Sequence, residues 1–133
     1  MASRTAGPER LTYDVFVPTV LIVDDHPSFR ASANAILTAE GYEVVGEAED
    51  GESAIEAAGR LHPDVVLLDV QLPDIDGFEV AARLRDHGYG VAVVLTSSRE
   101  ASDYGPLPQR SGARGFVPKA ELTGDGIAAL LAA

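Results

Sequence analysis

The stretch Val65 to Gly77, VVLLDVQLPDIDG, sets four consecutive apolar residues directly before a carboxylate, and a turn follows at once. A run without polar alternation predicts a strand buried on both faces, as in a parallel sheet covered by helices. Pro73, Asp74 and Gly77 are turn formers, and Asp76 is placed to cap the first amides of a helix. Asp69 therefore lies where a buried strand leaves the sheet, held by backbone on one side and open on the other.

Working outward, strands and helices alternate. TVLIVD (19–24) is an apolar run. SFRASANAILTAEG (28–41) sets Phe29, Ala33, Ile36 and Leu37 at helical spacing, with Gly41 as a stop. EVVGEA (43–48) is a weaker strand, and GESAIEAAGRL (51–61) is a helix carrying Ile55, Ala58 and Leu61. After the strand at 64–69, DGFEVAARLRD (76–86) puts Phe78, Ala81 and Leu84 on one helical face. VAVVLT (91–96) and RGFVP (114–118) are two more strands, and ELTGDGIAALLAA ends the chain as a short helix weakened by two glycines. Five apolar strands separated by helices predict a doubly wound α/β sheet with right-handed crossovers. Residues 1–14, of mixed charge and without apolar period, read as a loose N-terminal extension to a domain over 15–133.

The chain has 133 residues, which suits one domain of the common size, ~100–150 residues. It has no cysteine, which removes disulfides, thiol catalysis and zinc–thiolate sites. Its formal charge of −11 disfavours direct contact with nucleic acid or anionic membrane. The apolar stretch VFVPTVLIV is nine residues long and broken by Pro18, too short for a bilayer span, and no signal-peptide pattern precedes it. A soluble cytoplasmic protein is expected.

In such folds the chemistry sits beyond the carboxyl ends of the strands. There the sequence places Asp24-Asp25, Asp69, Thr96 followed by Ser97 and Ser98, and Lys119. If the first and third strands are neighbours, the carboxylates converge, and they repel unless a proton or cation separates them. A few carboxylates with room for water suit Mg²⁺. An ammonium, a hydroxyl and a metal ion around one carboxylate are the parts that hold a phosphoryl group in transfer, with Asp69 as nucleophile forming an acyl phosphate.

Each residue alone has a plainer reading. A strand-end Asp is ordinarily a turn or cap residue, Lys119 an ordinary surface lysine, Phe116 simple core, and Ser97 and Ser98 solvated. The set as a whole favours the chemical reading of the aspartates. His26 follows the acidic pair, but His62 and His87 are scattered in loops, so a histidine metal site is not expected. No G-x-G-x-x-G or Walker pattern supports nucleotide binding.

VLIVDDHP, VVLLDVQLPDIDG, VVLTSS and GARGFVPKAEL, in this order over roughly residues 19 to 132, resemble the receiver domain of two-component response regulators. FVPKAEL most resembles receivers that precede a helix-turn-helix output domain. The resemblance implies a flavodoxin-like sheet of order 2-1-3-4-5. It makes Asp69 the phosphoacceptor, with Asp24, Asp25 and the backbone carbonyl of Gln71 as Mg²⁺ ligands. Thr96 becomes the switch hydroxyl, Phe116 the switch aromatic and Lys119 the phosphate-pairing lysine. It implies a sensor histidine kinase or phosphotransfer protein as partner, a signalling role without substrate turnover, and leaves homodimer formation on phosphorylation open, as it does a stand-alone regulator or a receiver cut from a larger one.

Two alternatives belong to other classes. A Mg²⁺-dependent phosphohydrolase acting through an aspartyl phosphate would need a general acid two residues after the nucleophile, where Gln71 stands. A flavin-phosphate binder would need amides and hydroxyls where Asp24-Asp25 stands. The sequence also departs from the family pattern. Ala120 replaces the usual Pro after the site lysine, and a cis bond before it would cost ~3–4 kcal/mol. REASDYGPLPQRSG, with Pro106 and Pro108, leaves room for a fourth helix of barely two turns ending near Gly112.

Overall fold

The apolar run at 65–68 is explained by its place in the sheet. In the computed structural model, which describes residues 17–132, β3 (Val65–Asp69) lies at the centre of a five-stranded parallel sheet. Its neighbours are β1 (Thr19–Val23) and β4 (Ala92–Ser97), and β2 (Glu43–Ala48) and β5 (Gly115–Pro118) form the edges. The order β2-β1-β3-β4-β5 is the one implied by the resemblance. The extension read at residues 1–14 lies outside the described residues.

Successive strand residues face opposite layers, and here both layers are apolar. Val66 and Leu68 pack with Ala54 and Ala58 of α2 (Gly51–Leu61) and with Val80 and Leu84 of α3 (Gly77–His87). Val65 and Leu67 pack with Ala33 and Leu37 of α1 (Pro27–Ala39) and with Ile127 of α5 (Gly124–Ala132). All these side chains are buried. β2 is an edge strand with only Ala48 buried, which accounts for its weaker pattern.

Helix starts follow local chemistry. Asp76 accepts the Glu79 amide at 2.8 Å, the cap expected at α3. Asp50 accepts the Ser53 amide at the start of α2. α5 begins at Gly124, later than the sequence suggests, because residues Lys119–Glu121 form a 3-10 turn. The Gly124 amide then donates to Glu40 Oε1 at 2.9 Å.

The fourth helix is shorter than expected. A 3-10 turn (Ala101–Tyr104) is followed by α4 (Leu107–Arg110), one turn long, with Gly105 between them at φ +61°. Two prolines without amide hydrogens limit the segment: Pro106 caps α4 and Pro108 fills its first turn. Ser111 Oγ donates to the Pro108 carbonyl at 2.7 Å, and Gly112 leaves at φ +85°. Among the described residues no peptide bond is cis, so Lys119–Ala120 is trans, and no helix is long and apolar enough to cross a membrane.

Candidate functional site

Sheet register delivers the side chains. β1 and β3 pair from Val20↔Val65 to Val23↔Leu68, so Asp24 and Asp69, each next in its chain, leave the sheet side by side. Asp69 stands opposite Thr96 in the β3–β4 ladder, and Thr96 opposite Val117, two residues before Lys119. Asp24, Asp69 and Thr96 are buried, Asp69 with 2% of its surface exposed.

One carboxylate oxygen each from Asp24, Asp25 and Asp69, with a ring nitrogen of His26, lie within 4.8 Å of one another. Lys119 closes the group. Its Nζ is 3.4 Å from Asp69 Oδ2 and 2.6 Å from Asp24 Oδ2. The second approach is an ion contact that lies off the hydrogen-bonding direction, as is that of His26 Nδ1 to Asp25 Oδ1 at 3.1 Å, so neither Asp24 Oδ2 nor Asp25 Oδ1 accepts a hydrogen bond among the described residues. The Thr96 hydroxyl is likewise buried and without a hydrogen-bond partner among the described residues. The Phe29 ring supports the ammonium at 4.7 Å from its centroid.

Burial, then the Asp24 charge, push the Asp69 carboxyl up to about 6, although Lys119 and the Gln71 amide (3.2 Å from Asp69 Oδ1) oppose the rise. Buried carboxylates so arranged call for a proton or a cation. The three carboxylates of that group, two of them with oxygens that accept no hydrogen bond, fit a hard divalent ion such as Mg²⁺.

The loop after Asp69 is tightly held. The Gly77 amide donates to the Val70 carbonyl at 2.8 Å, and a Cβ on Gly77 would collide with the Asp69 carbonyl oxygen and lie 2.9 Å from Val70 Cα. Gly77 thus serves close packing as well as the turn. Asp74, exposed, accepts the Gly51 and Glu52 amides at 2.8 and 2.9 Å and so ties this loop to the start of α2. Although burial pushes its carboxyl up, those amides outweigh it and hold it below its ordinary value.

Phe116 is half-buried on the α2–α3 side of the sheet and borders a cleft of about 220 Å³ shared with Ala101, Pro108 and Ala113. Gln71 is exposed beside Asp69. One expectation needs correction. Ser97 is fully buried rather than solvated, because β4 extends one residue further than the apolar run; Ser98 is exposed. His26 lies beside the acidic pair, with Nδ1 at 3.1 Å from both Asp24 Oδ1 and Asp25 Oδ1, and neither His62 nor His87 joins it. Arg30 was not singled out by sequence, yet it donates to the Asp24 carbonyl at 2.7 Å and to Glu47 at 3.0 Å. Its position one residue after Phe29 on α1 was the available signal.

Comparison with known families matches residues 20–130 to the response regulator receiver domain. The chain belongs to that family. It is 34% identical over 113 residues to the DNA-binding transcriptional activator EvgA of Escherichia coli K12, covering 85% of this chain and 55% of that protein. This receiver thus spans about half the length of the curated relatives it matches. Its fold is similar to the signal receiver domain of a response regulator, NarL, from Mycobacterium tuberculosis, with TM-score 0.79, 31% identity, and 90% and 100% of the two chains covered. It is also similar to a chain in the CheX–CheY–BeF3–Mg²⁺ complex from Borrelia burgdorferi, with TM-score 0.77, 26% identity, and 95% and 96% of the two chains covered.

Proposed function

We propose that this receiver, over residues 15–133, accepts a phosphoryl group on Asp69 from a phosphohistidine of a sensor histidine kinase or phosphotransfer protein. The supporting observation is the company Asp69 keeps among the described residues: oxygens of Asp24 and Asp25 that accept no hydrogen bond, a buried Thr96 hydroxyl without a hydrogen-bond partner and the Lys119 ammonium. An Asp69 oxygen attacks phosphorus as the phosphorus–nitrogen bond breaks, and the imidazole nitrogen leaves with the electron pair. Lys119 pairs with one phosphoryl oxygen and Thr96 donates a hydrogen bond to another. Asp24, Asp25, Asp69 and the Gln71 main-chain carbonyl would hold Mg²⁺, which when bound neutralises charge on the carboxylates and the transferring group.

Movement of Thr96 toward the phosphate shifts the end of β4, and the Phe116 ring, beside Leu95 on the other face of the sheet, turns inward in response, changing the surface around β4 and β5 that regulates a downstream partner. Homodimer formation on phosphorylation belongs to the same reading. The role is signalling, limited to self-phosphorylation and slow loss of the phosphate.

The experiment is direct. Incubate the protein with Mg²⁺ and a small phosphodonor, then weigh wild type and Asp69→Ala by intact mass. Wild type gains a single phosphate and Asp69→Ala none; an adduct that survives the substitution would falsify the assignment.

A further inference from the structure

Thr96 and Ser97 are consecutive at the end of β4 and so face opposite sides of the sheet. Thr96 stands beside Asp69. Ser97 shares its side with Leu95, whose ladder partner is Phe116. Its fully buried hydroxyl has two partners: it accepts the Arg99 amide at 3.1 Å and shares a 2.7 Å hydrogen bond with the Tyr104 hydroxyl.

Tyr104 stands at the end of the 3-10 turn, between two other rings. Phe78 of α3 meets it edge-on at 5.5 Å, and Phe116 of β5 lies 6.0 Å away. Between residues 98 and 110 no side chain is fully buried, so the phenol on the buried Ser97 hydroxyl is a short polar tie between an otherwise shallowly packed segment and the sheet. A buried hydroxyl is costly to leave without its partner, so β4 and Tyr104 resist separation.

We propose that Tyr104 is a positioning residue: through Ser97 it fixes the end of β4 on which Thr96 stands, and it links residues 98–113 to the state of Asp69. This rests on the phosphoacceptor reading above. When Thr96 closes on the phosphoryl group, the backbone it shares with Ser97 moves too. The Ser97–Tyr104 bond is then strained or broken, and the three rings repack. The two short turns that carry Ala101 to Arg110 are released from the sheet. The signal thus leaves the site by two routes on the same side of the sheet, the ring of Phe116 and the phenol of Tyr104.

The test uses the full chain. Amide hydrogen exchange across residues 98–113 is measured without ligand and with Mg²⁺ plus beryllium fluoride, for wild type, Tyr104→Phe and Ser97→Ala. Tyr104→Phe keeps both ring contacts and removes only the hydroxyl, so folding is preserved. In wild type, loading speeds exchange in 98–113. In Tyr104→Phe the unloaded protein already exchanges roughly five- to tenfold faster there, the share of one neutral hydrogen bond. Loading then adds little, so the loaded-to-unloaded ratio falls toward one, and Ser97→Ala reproduces this from the other end of the bond. A merely structural role would speed both states equally and keep the ratio. A wild-type ratio in either variant, or no wild-type response in 98–113, overturns the proposal. Intact mass with a small phosphodonor is run alongside. A wild type that takes no phosphate on Asp69 defeats the phosphoacceptor reading, and the proposal with it, whereas a phosphorylated wild type with an unchanged ratio defeats Tyr104 alone.

Discussion

Asp69 and Thr96 are direct neighbours across β3 and β4, yet the chain beyond each is held in opposite ways. After Asp69 the loop is clamped by the Gly77–Val70 hydrogen bond, by the Gln71 amide on Asp69, and by Asp74 on the amides of α2. Beyond the buried Ser97 the chain runs through mostly exposed residues, two prolines and two single turns, with Leu107 48% exposed. The first side holds charged groups that must keep their spacing. The second has few buried apolar contacts, the physical description of a segment that opens at low cost. A tightly held acidic site and a loosely held segment share one ladder rung.

The largest effect expected from this contrast is in stability. Leu68→Ala removes a fully buried side chain beside Asp69 and should cost about 2–5 kcal/mol, whereas Leu107→Ala should stay within about 0.5 kcal/mol. Urea denaturation of the two variants checks it, and equal losses would erase the distinction between the two sides. Gly77→Ala comes next. Its methyl group meets backbone, which cannot turn aside as a side chain does, so a loss of about 1–3 kcal/mol is expected. The β3–α3 loop must also shift, so Mg²⁺ affinity should fall in the same variant, measured by titration calorimetry.

The charge on the rigid side gives a third test. The Asp69 carboxyl is raised to about 6 by burial and Asp24, so between its ordinary value and 6 the folded state binds more protons than the unfolded. Stability contributed by this group is therefore present below about pH 4 and lost as pH rises through about 6. Asp69→Asn removes that dependence. Without divalent ions at pH 7 it should be more stable than wild type, by on the order of 2 kcal/mol, and the gap should close toward pH 4. Mg²⁺ should stabilise wild type, by about 2.7 kcal/mol at a concentration 100 times its Kd, and the variant much less. A gap that widens on acidification would contradict the sign.

The same contrast explains what could be read in advance. β3 and its exit were legible because burial on both faces leaves an unbroken apolar run, which stops at Asp69 and a cluster of turn residues. Asp24 and Lys119 followed once strand order put the ends together. Segment 98–113 was not legible, because prolines and glycines erase the period that places side chains. Nothing in REASDYGPLPQRSG marks Tyr104 as the residue that reaches Ser97. Ser97 was misjudged for a related reason: a polar residue at a strand end looks solvated until its partner is known. Asp74 could be seen as a turn residue, but its bond to α2 spans two separate loops, which sequence spacing does not report.

Asp74 therefore supplies the smallest and sharpest test. Its two bonds go to Gly51 and Glu52, the first amides of α2, while Asp50 takes the amide of Ser53; the two aspartates share the cap. Asp74→Ala leaves the Asp50 bond in place, so the loss should be about 1 kcal/mol, the usual worth of a capping residue. Its weight lies elsewhere. Without this brace the loop carrying Gln71 keeps the hydrogen bonds near its two ends, from the Gln71 and Gly77 amides, and the packing of Leu72 and Ile75 on the core. Phosphorylation rate should then fall by more than so small a destabilisation implies, since misplacing the loop disturbs the oxygens around Asp69. Asp74→Asn separates charge from geometry, because its side-chain oxygen still accepts an amide. Recovery of the rate by Asn with only part of the stability restored identifies bracing. If Ala and Asn behave alike, the carboxylate charge at the start of α2 is what matters, and the clamp on the rigid side is electrostatic.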